Sequence, residues 1–170
     1  MLIQGKTYVF GDDINTDVIY PGKYLSITTD REEMAKHCFE AVYPEFLQTA
    51  RSGDIIVAGK NFGCGSSREQ AATCLKYYGI QAVVAVSFAR IFYRNAINLG
   101  LPVLIAPGIT EFVAHGQALK IDLESGVIKN SDTGQTMTAQ GMPEFVLEII
   151  TTGGLIPYLR KKLGIVGQEV

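Results

Sequence analysis

Histidine and cysteine are scarce in this chain. Its 170 residues hold two histidines, His37 and His115, and three cysteines, Cys38, Cys64 and Cys74. Two histidines rule out a catalytic apparatus built on several imidazoles of this chain. An odd cysteine count without a C-x-x-C pair argues against a disulfide framework and leaves a self-contained zinc or iron–sulfur site short of ligands. No apolar run reaches the roughly 18 residues that a membrane span needs. The opening Met-Leu-Ile-Gln-Gly-Lys-Thr-Tyr lacks a basic stretch leading into a long apolar core, so no signal peptide and a cytoplasmic location are expected. Positive charge is not in excess either: 15 Lys and Arg against 17 Asp and Glu give a net charge of −2. A chain that binds nucleic acid through charge carries a clear positive surplus, so neither nucleic acid nor membrane is an expected partner.

Apolar residues make up 47% and charged residues 19%, which excludes a disordered chain. The length suits one core, and a single domain over residues 1–170 is expected. Many of the 18 glycines sit at the ends of apolar runs, so the chain reads as short elements joined by tight turns.

Residues 2–10 read as a strand and 11–23 as a loop rich in Asp, Asn, Gly and Pro. Thr29 or Asp30 is placed to cap a helix through about Ala41, with Asp30 three residues before Glu33. A second short helix covers 44–51. Residues 54–58 form a buried-strand run, 59–66 a glycine-punctuated loop, and 67–78 a helix closed by Gly79. A strand over 80–86, a helix over 88–99 closed by Gly100 and a strand over 101–106 follow. Near-continuous apolar strands alternating with helices imply parallel pairing with right-handed crossovers and both sheet faces covered. Residues 118–123, 127–129 and 135–139 read instead as antiparallel strands on one wall, and helices over 143–152 and 155–163 end the chain. The class is α/β, with a partly parallel sheet and additional antiparallel strands.

The chemistry concentrates in Gly59-Lys60-Asn61-Phe62-Gly63-Cys64-Gly65-Ser66-Ser67-Arg68-Glu69-Gln70-Ala71, between a buried strand and a helix. Such strand-to-helix junctions are where α/β proteins place ligands. Gly63 and Gly65 permit positive φ and close backbone approach. Ser66 or Ser67 is the expected N-cap, and the free N–H groups of the following helix favour an anion. Arg68 adds a guanidinium suited to a carboxylate. The string is neither a Walker loop, nor a dinucleotide fingerprint, nor a G-x-S-x-G elbow. On these residues alone, a capped helix behind a tight turn with Arg68 solvated accounts for the loop equally well.

Gly63 to Glu69, then Ser87-Phe88-Ala89-Arg90-Ile91-Phe92 with Asn95, resembles the swivelling domain of the aconitase superfamily. Asp12-Asp13-Ile14-Asn15-Thr16-Asp17-Val18-Ile19, then Pro21 and Tyr24-Leu25, resembles the N-terminus of its free-standing form, the 3-isopropylmalate dehydratase small-subunit family. The likeness runs from about Gly5 to Leu163, and three motifs in one order are more specific than any one of them. It implies a β/β/α swivelling domain and a separate large subunit carrying a [4Fe–4S] cluster, with none bound by this chain. It also implies a hydro-lyase that moves a hydroxyl between adjacent carbons of a small dicarboxylic hydroxy acid, active only in the assembled pair. Self-association of the free chain stays open.

Roles follow the same motifs. Ser66 matches the general base that takes the proton beside a carboxylate. A serine alkoxide at neutral pH requires strong stabilisation by helix N–H groups and Arg68 in a dry site. Ser67 and Arg68 match ligands of the substrate carboxylate. Asp17 matches an acid that orients a histidine of the partner for proton delivery to the leaving hydroxyl; a plain turn residue is the competing reading. The loop after Pro21 selects substrate in this family. Its members that handle citrate- or homocitrate-type acids carry an arginine just beyond the aromatic–Leu pair, where this chain has Ser26 and Ile27. Tyr24, Leu25, Ser26 and Ile27 therefore suit an isopropyl group, as in leucine biosynthesis, better than a further carboxylate. Methylene-sized contacts discriminate by only about 1–3 kcal/mol, so homoaconitate, citramalate-type and dimethylmalate substrates stay in view, as does Arg31 swinging in to serve a tricarboxylate. Residues 11–29 are expected to form a mobile specificity loop.

Cys64, beside the loop, is oxidation-sensitive only if the helix N-terminus lowers its pKa, and otherwise fills space. Cys38 and Cys74 read as core residues, His37 and His115 as helical residues away from the motifs, and Arg90 and Asn95 as supports behind the loop. Tyr158 to Lys162 reads as a solvated face. A non-catalytic anion-binding or regulatory module is the alternative from a different class.

Overall fold

The structure, a computed structural model, describes residues 1–165; the last five residues of the expected 1–170 domain lie outside the described residues. In chain order its elements are β1 (Leu2–Val9), α1 (Thr16–Ile19), a 3-10 turn (Gly22–Tyr24), α2 (Arg31–Ala35), α3 (Pro44–Thr49), β2 (Ile55–Ala58), α4 (Glu69–Tyr78), β3 (Ala82–Ala85), α5 (Arg90–Asn98), β4 (Val103–Ile105), α6 (Ile109–Phe112), β5 (Ala118–Asp122), β6 (Val127–Asn130), β7 (Thr136–Thr138), α7 (Glu144–Thr151) and α8 (Leu155–Lys162).

The strands join in one sheet with the order β4-β3-β2-β1-β5-β6-β7. β1 is the seam. It pairs parallel with β2, aligning Thr7 with Ile55 and Val9 with Val57. On its other edge it pairs antiparallel with β5, aligning Leu2 with Asp122 and Lys6 with Ala118. β2, β3 and β4 continue in parallel, and β5, β6 and β7 in antiparallel fashion. This is the α/β class expected from the sequence, with the antiparallel wall grafted onto the first strand.

The apolar runs of β2 and β3 are buried on both faces because each face carries its own core. Ile56, Ala58, Val83 and Ala85 point into a cluster with Tyr8, Phe10, Phe46, Leu75 and Phe92. Ile55, Val57, Ala82 and Val84 point the other way, to Leu104, Ile109, Leu119, Val146 and Ile150. The period-2 alternation of a strand distributes one apolar run between two cores.

Several boundaries differ from the sequence reading. Helix α2 ends at Ala35, and the chain continues to Ala41 as consecutive turns. Asp30 is the N-cap, accepting from the Glu33 N–H at 2.8 Å. α4 starts at Glu69 rather than 67, and α6 had no clear sequence signal. Neither histidine is helical: His37 lies in the turns after α2, and His115 in the turn before β5, its ring edge-on to Tyr8 at 4.4 Å. No helix among the described residues is long and apolar enough to cross a membrane.

Candidate functional site

At the carboxyl ends of β1, β2 and β3 the chain builds a sutured pair of loops. The Gly59 N–H donates to the Gly11 carbonyl at 3.0 Å and the Asp13 N–H to the Lys60 carbonyl at 2.8 Å. The Lys60 N–H reaches Asp12 Oδ1 at 2.7 Å, and Asn61 Nδ2 reaches Asp13 Oδ1 at 2.9 Å. Further along, the Gly63 N–H donates to the Ile14 carbonyl at 2.7 Å and the Thr16 N–H to the Cys64 carbonyl at 2.8 Å. Buried Thr16 completes the suture through its hydroxyl, which donates to the Ser66 carbonyl at 3.0 Å. From the other side, Ser87 Oγ accepts from the Asn61 N–H at 2.9 Å, and the Ala89 N–H donates to the Phe62 carbonyl at 2.9 Å. Asn61 and Ser87 thus tie the second motif to the first. Gly63 has φ +79°, and a Cβ there would collide with the Phe92 ring. Arg90 opens α5 as an exposed residue, and Asn95, on the same helix, is half-buried.

Ser66 and Ser67 are exposed. Neither caps α4. The N-cap is Arg68, with φ −125° and ψ 109°, and no side chain caps this helix end. The reason is mechanical: the bonds from Ile14 and Thr16 hold residues 63–66 in loop conformation, so helical dihedrals begin only after Arg68. A guanidinium has no acceptor to offer the first-turn N–H groups. The end of α4 therefore keeps its anion-attracting character.

Arg68 donates from Nη1 to Asp17 Oδ1. Asp17 sits in the first turn of α1, whose N-cap Asn15 accepts from the Val18 N–H at 2.9 Å. Asn15 and Thr16 position Asp17 and the serine loop; an Asn followed by an acid in the next turn was the available signal. Gly22 lies beside the pair, since a Cβ on it would stand 3.0 Å from Asp17 Oδ1 and 3.2 Å from Arg68 Nη1. The three separately identified segments, 12–19, 22–28 and 63–68, therefore meet at one ion pair.

Residues 22–28 divide in two. Tyr24 and Leu25 are half-buried and pack against the core, whereas Ser26 and Ile27 are exposed in the turn, Ile27 by 69%. The Tyr24 hydroxyl is committed to Glu40, donating to its two oxygens at 2.7 and 2.9 Å. His37 Nδ1 also meets Glu40, and its ring stacks on Tyr24 with centroids 3.7 Å apart. His37 is thus next to a motif, contrary to the sequence reading, which had no means of seeing that the turns after α2 fold back under Tyr24. Hydrogen bonds from Tyr24 and His37, then Lys23, hold the Glu40 carboxyl down at about 2. Arg31 faces elsewhere. Its Nη1 donates to the Tyr77 hydroxyl at 2.7 Å, and it lines a cleft of about 380 Å³ with Leu99, Pro157 and Arg160.

The Cys64 thiol is pushed up, by burial first and by the charge of Asp13 second, so the helix end does not activate it. Cys38 and Cys74 are buried in the core. Among the described residues no group of three or more His, Cys, Asp and Glu side chains is placed to hold a metal ion, and the donor set does not fit an iron–sulfur cluster.

The Aconitase C-terminal domain family matches residues 11–107, which contain every motif named above. The 3-isopropylmalate dehydratase small subunit 1 of Methanopyrus kandleri is 52% identical over 161 residues, covering 95% of this chain and 94% of that protein. The isopropylmalate/citramalate isomerase small subunit of Methanocaldococcus jannaschii is 51% identical over 162 residues, covering 95% and 96%. A crystal structure of 3-isopropylmalate dehydratase from M. jannaschii superposes with a TM-score of 0.90 at 47% identity, covering 97% of each chain. The shared length takes in the antiparallel wall and the terminal helices as well as the motif-bearing half, and on that ground the chain belongs to the aconitase C-terminal domain family, among the 3-isopropylmalate dehydratase small subunits.

Proposed function

We propose that this chain is the small subunit of a hydro-lyase that interconverts 2-isopropylmalate and 3-isopropylmalate by dehydration and rehydration in leucine biosynthesis. One observation carries the reading: an exposed Ser66 lies on a hydrogen-bonded loop two residues before Arg68, at an uncapped helix N-terminus. Ser66 Oγ takes the proton from the carbon beside the substrate carboxylate and returns it in the reverse step. Developing charge on that carboxylate is met by Arg68, Ser67 and the first N–H groups of α4. Arg68 engages Asp17 through Oδ1, leaving the second oxygen of this half-exposed acid for a histidine of the partner.

Ser66 and Ser67 are exposed on this chain, so the site needs a docking partner to become dry. The large subunit supplies that wall together with a [4Fe–4S] cluster, whose chemistry is Lewis-acid binding of the leaving hydroxyl. This chain's own work is confined to proton transfer, carboxylate binding and selection of the alkyl group. For the last task the exposed Ile27, with Tyr24 and Leu25, favours an apolar substituent. Arg31, the nearest candidate for a third carboxylate, is engaged with Tyr77 on another face.

Citramalate is the second reading, supported by the name of the M. jannaschii relative. A methyl group in place of isopropyl costs little where the contacts are a few apolar side chains. Co-expression with the cluster-bearing large subunit, then assays of isopropylmalate, citramalate and homoaconitate side by side, tests both. Isopropylmalate turnover is expected to lead. A preference for homoaconitate would overturn the substrate assignment, and turnover by the isolated chain would overturn the split site.

A further inference from the structure

Glu40 gathers residues from both sides of a turn that the sequence motifs ignore. It accepts from Tyr24 Oη at 2.7 and 2.9 Å and from Lys23 Nζ at 3.3 Å, and it meets His37 Nδ1. The rings of Tyr24 and His37 lie 17° from parallel, and the Lys23 ammonium stands 4.7 Å from the Tyr24 ring centroid. His37 faces a second acid, Glu33 Oε1, at 3.7 Å. The platform under this group is fixed: Cys38 and Phe39 are fully buried, and the Phe39 N–H donates to the Ile19 carbonyl at 2.9 Å. Above it, the Ile27 N–H donates to the Tyr24 carbonyl at 3.1 Å, so the position of Tyr24 sets that of the exposed tip. The tip's root, Gly22, lies beside the Asp17–Arg68 pair, with too little room for a side chain between them.

We infer that Glu40 and His37 are positioning residues for substrate selectivity: they clamp Tyr24, and through it hold Leu25 and Ile27 at a set place beside the carboxylate-binding Arg68. The inference rests on the proposed reading that residues 22–28 meet the substrate's alkyl group. A carboxylate serves here because it alone accepts from three different donors at once, and its low pKa keeps it ionised. Neither residue touches substrate, so their loss shifts which substrate is bound well and leaves the proton chemistry at Ser66 in place.

Two measurements test this on Glu40→Ala, Glu40→Gln and His37→Phe. In the complex with the large subunit, Glu40→Ala raises KM for isopropylmalate by about tenfold with kcat within about twofold, and KM for the smaller citramalate by less than about threefold. Glu40→Gln, which keeps one acceptor for Tyr24, recovers most of the difference, and His37→Phe, which keeps the stacking, falls between. In the free chain, amide exchange over residues 24–28 quickens in Glu40→Ala while that of β2 and β3 does not change. Unaltered selectivity with normal turnover overturns the inference and leaves the proposed function standing. Equal losses on both substrates, with faster exchange throughout, reduce Glu40 to a structural residue and overturn it too. A wild-type complex that turns over neither acid defeats the proposed function and the selectivity claim together, whatever exchange shows about the clamp.

Discussion

Arg68 and Asp17, 51 residues apart in the chain, form an ion pair at the point where three motif segments converge. The arginine side chain is 18% exposed and the aspartate 55%. The cation is half-buried and its acid is the more exposed of the two, which leaves the guanidinium within reach of a second anion, as the proposed carboxylate-binding role requires.

The asymmetry separates stability from activity. Because Asp17 is half in water, Asp17→Asn is expected to cost less than about 1 kcal/mol in urea denaturation. Arg68→Lys loses the planar fork that binds carboxylates and is expected to raise KM by at least about tenfold in the reconstituted complex. A large stability loss in Asp17→Asn would show that the pair holds the fold.

Ser66→Ala removes an exposed hydroxyl and is expected to leave thermal stability nearly unchanged. Loss of a positioned general base lowers turnover by about 10²–10⁴-fold. The assay is kcat of the reconstituted complex at saturating isopropylmalate, with KM little altered. Retained turnover would remove the catalytic role from this loop.

Gly63 and Gly65 should respond differently to alanine, although both have positive φ, at +79° and +92°. At Gly65 the nearest atom to a new Cβ is 3.5 Å away, so the cost is about 1–2 kcal/mol of backbone strain. At Gly63 the methyl also meets the Phe92 ring, adding an overpacking cost of about 1–3 kcal/mol. Chemical denaturation of the two variants compares them, and the order should reverse only if the loop refolds.

The pH dependence of stability carries a signature of Glu40. Its folded pKa, about 2, lies below the ordinary 4.5. A depressed carboxyl contributes stability that is complete above about 4.5 and is lost as pH falls towards about 2. Lys23, Tyr24 and His37 face it, with Glu33 beyond His37. Within that window the wild type should lose stability more steeply than Glu40→Gln, and parallel denaturation curves would contradict the clamp.

The order and type of the main elements were legible in the sequence because apolar runs and glycine stops are local signals. Helix ends were less so. Ser66 and Ser67 had the composition of N-caps, but bonds from Ile14 and Thr16 delayed α4 to Glu69. His37 looked unconnected because its partners, Tyr24 and Glu40, are joined by turns without a periodic pattern.

By itself the sequence determined the α/β class, the serine–arginine loop and the likeness to aconitase-type swivelling domains, since these depend on short spacings along the chain. Only the tertiary structure decided that Asp17 pairs with Arg68, that Arg31 turns to Tyr77, and that Glu40 holds Tyr24. Those choices pit several acceptors against each cation or hydroxyl, and the outcome is set by which groups the packed sheet and helices bring within hydrogen-bond reach.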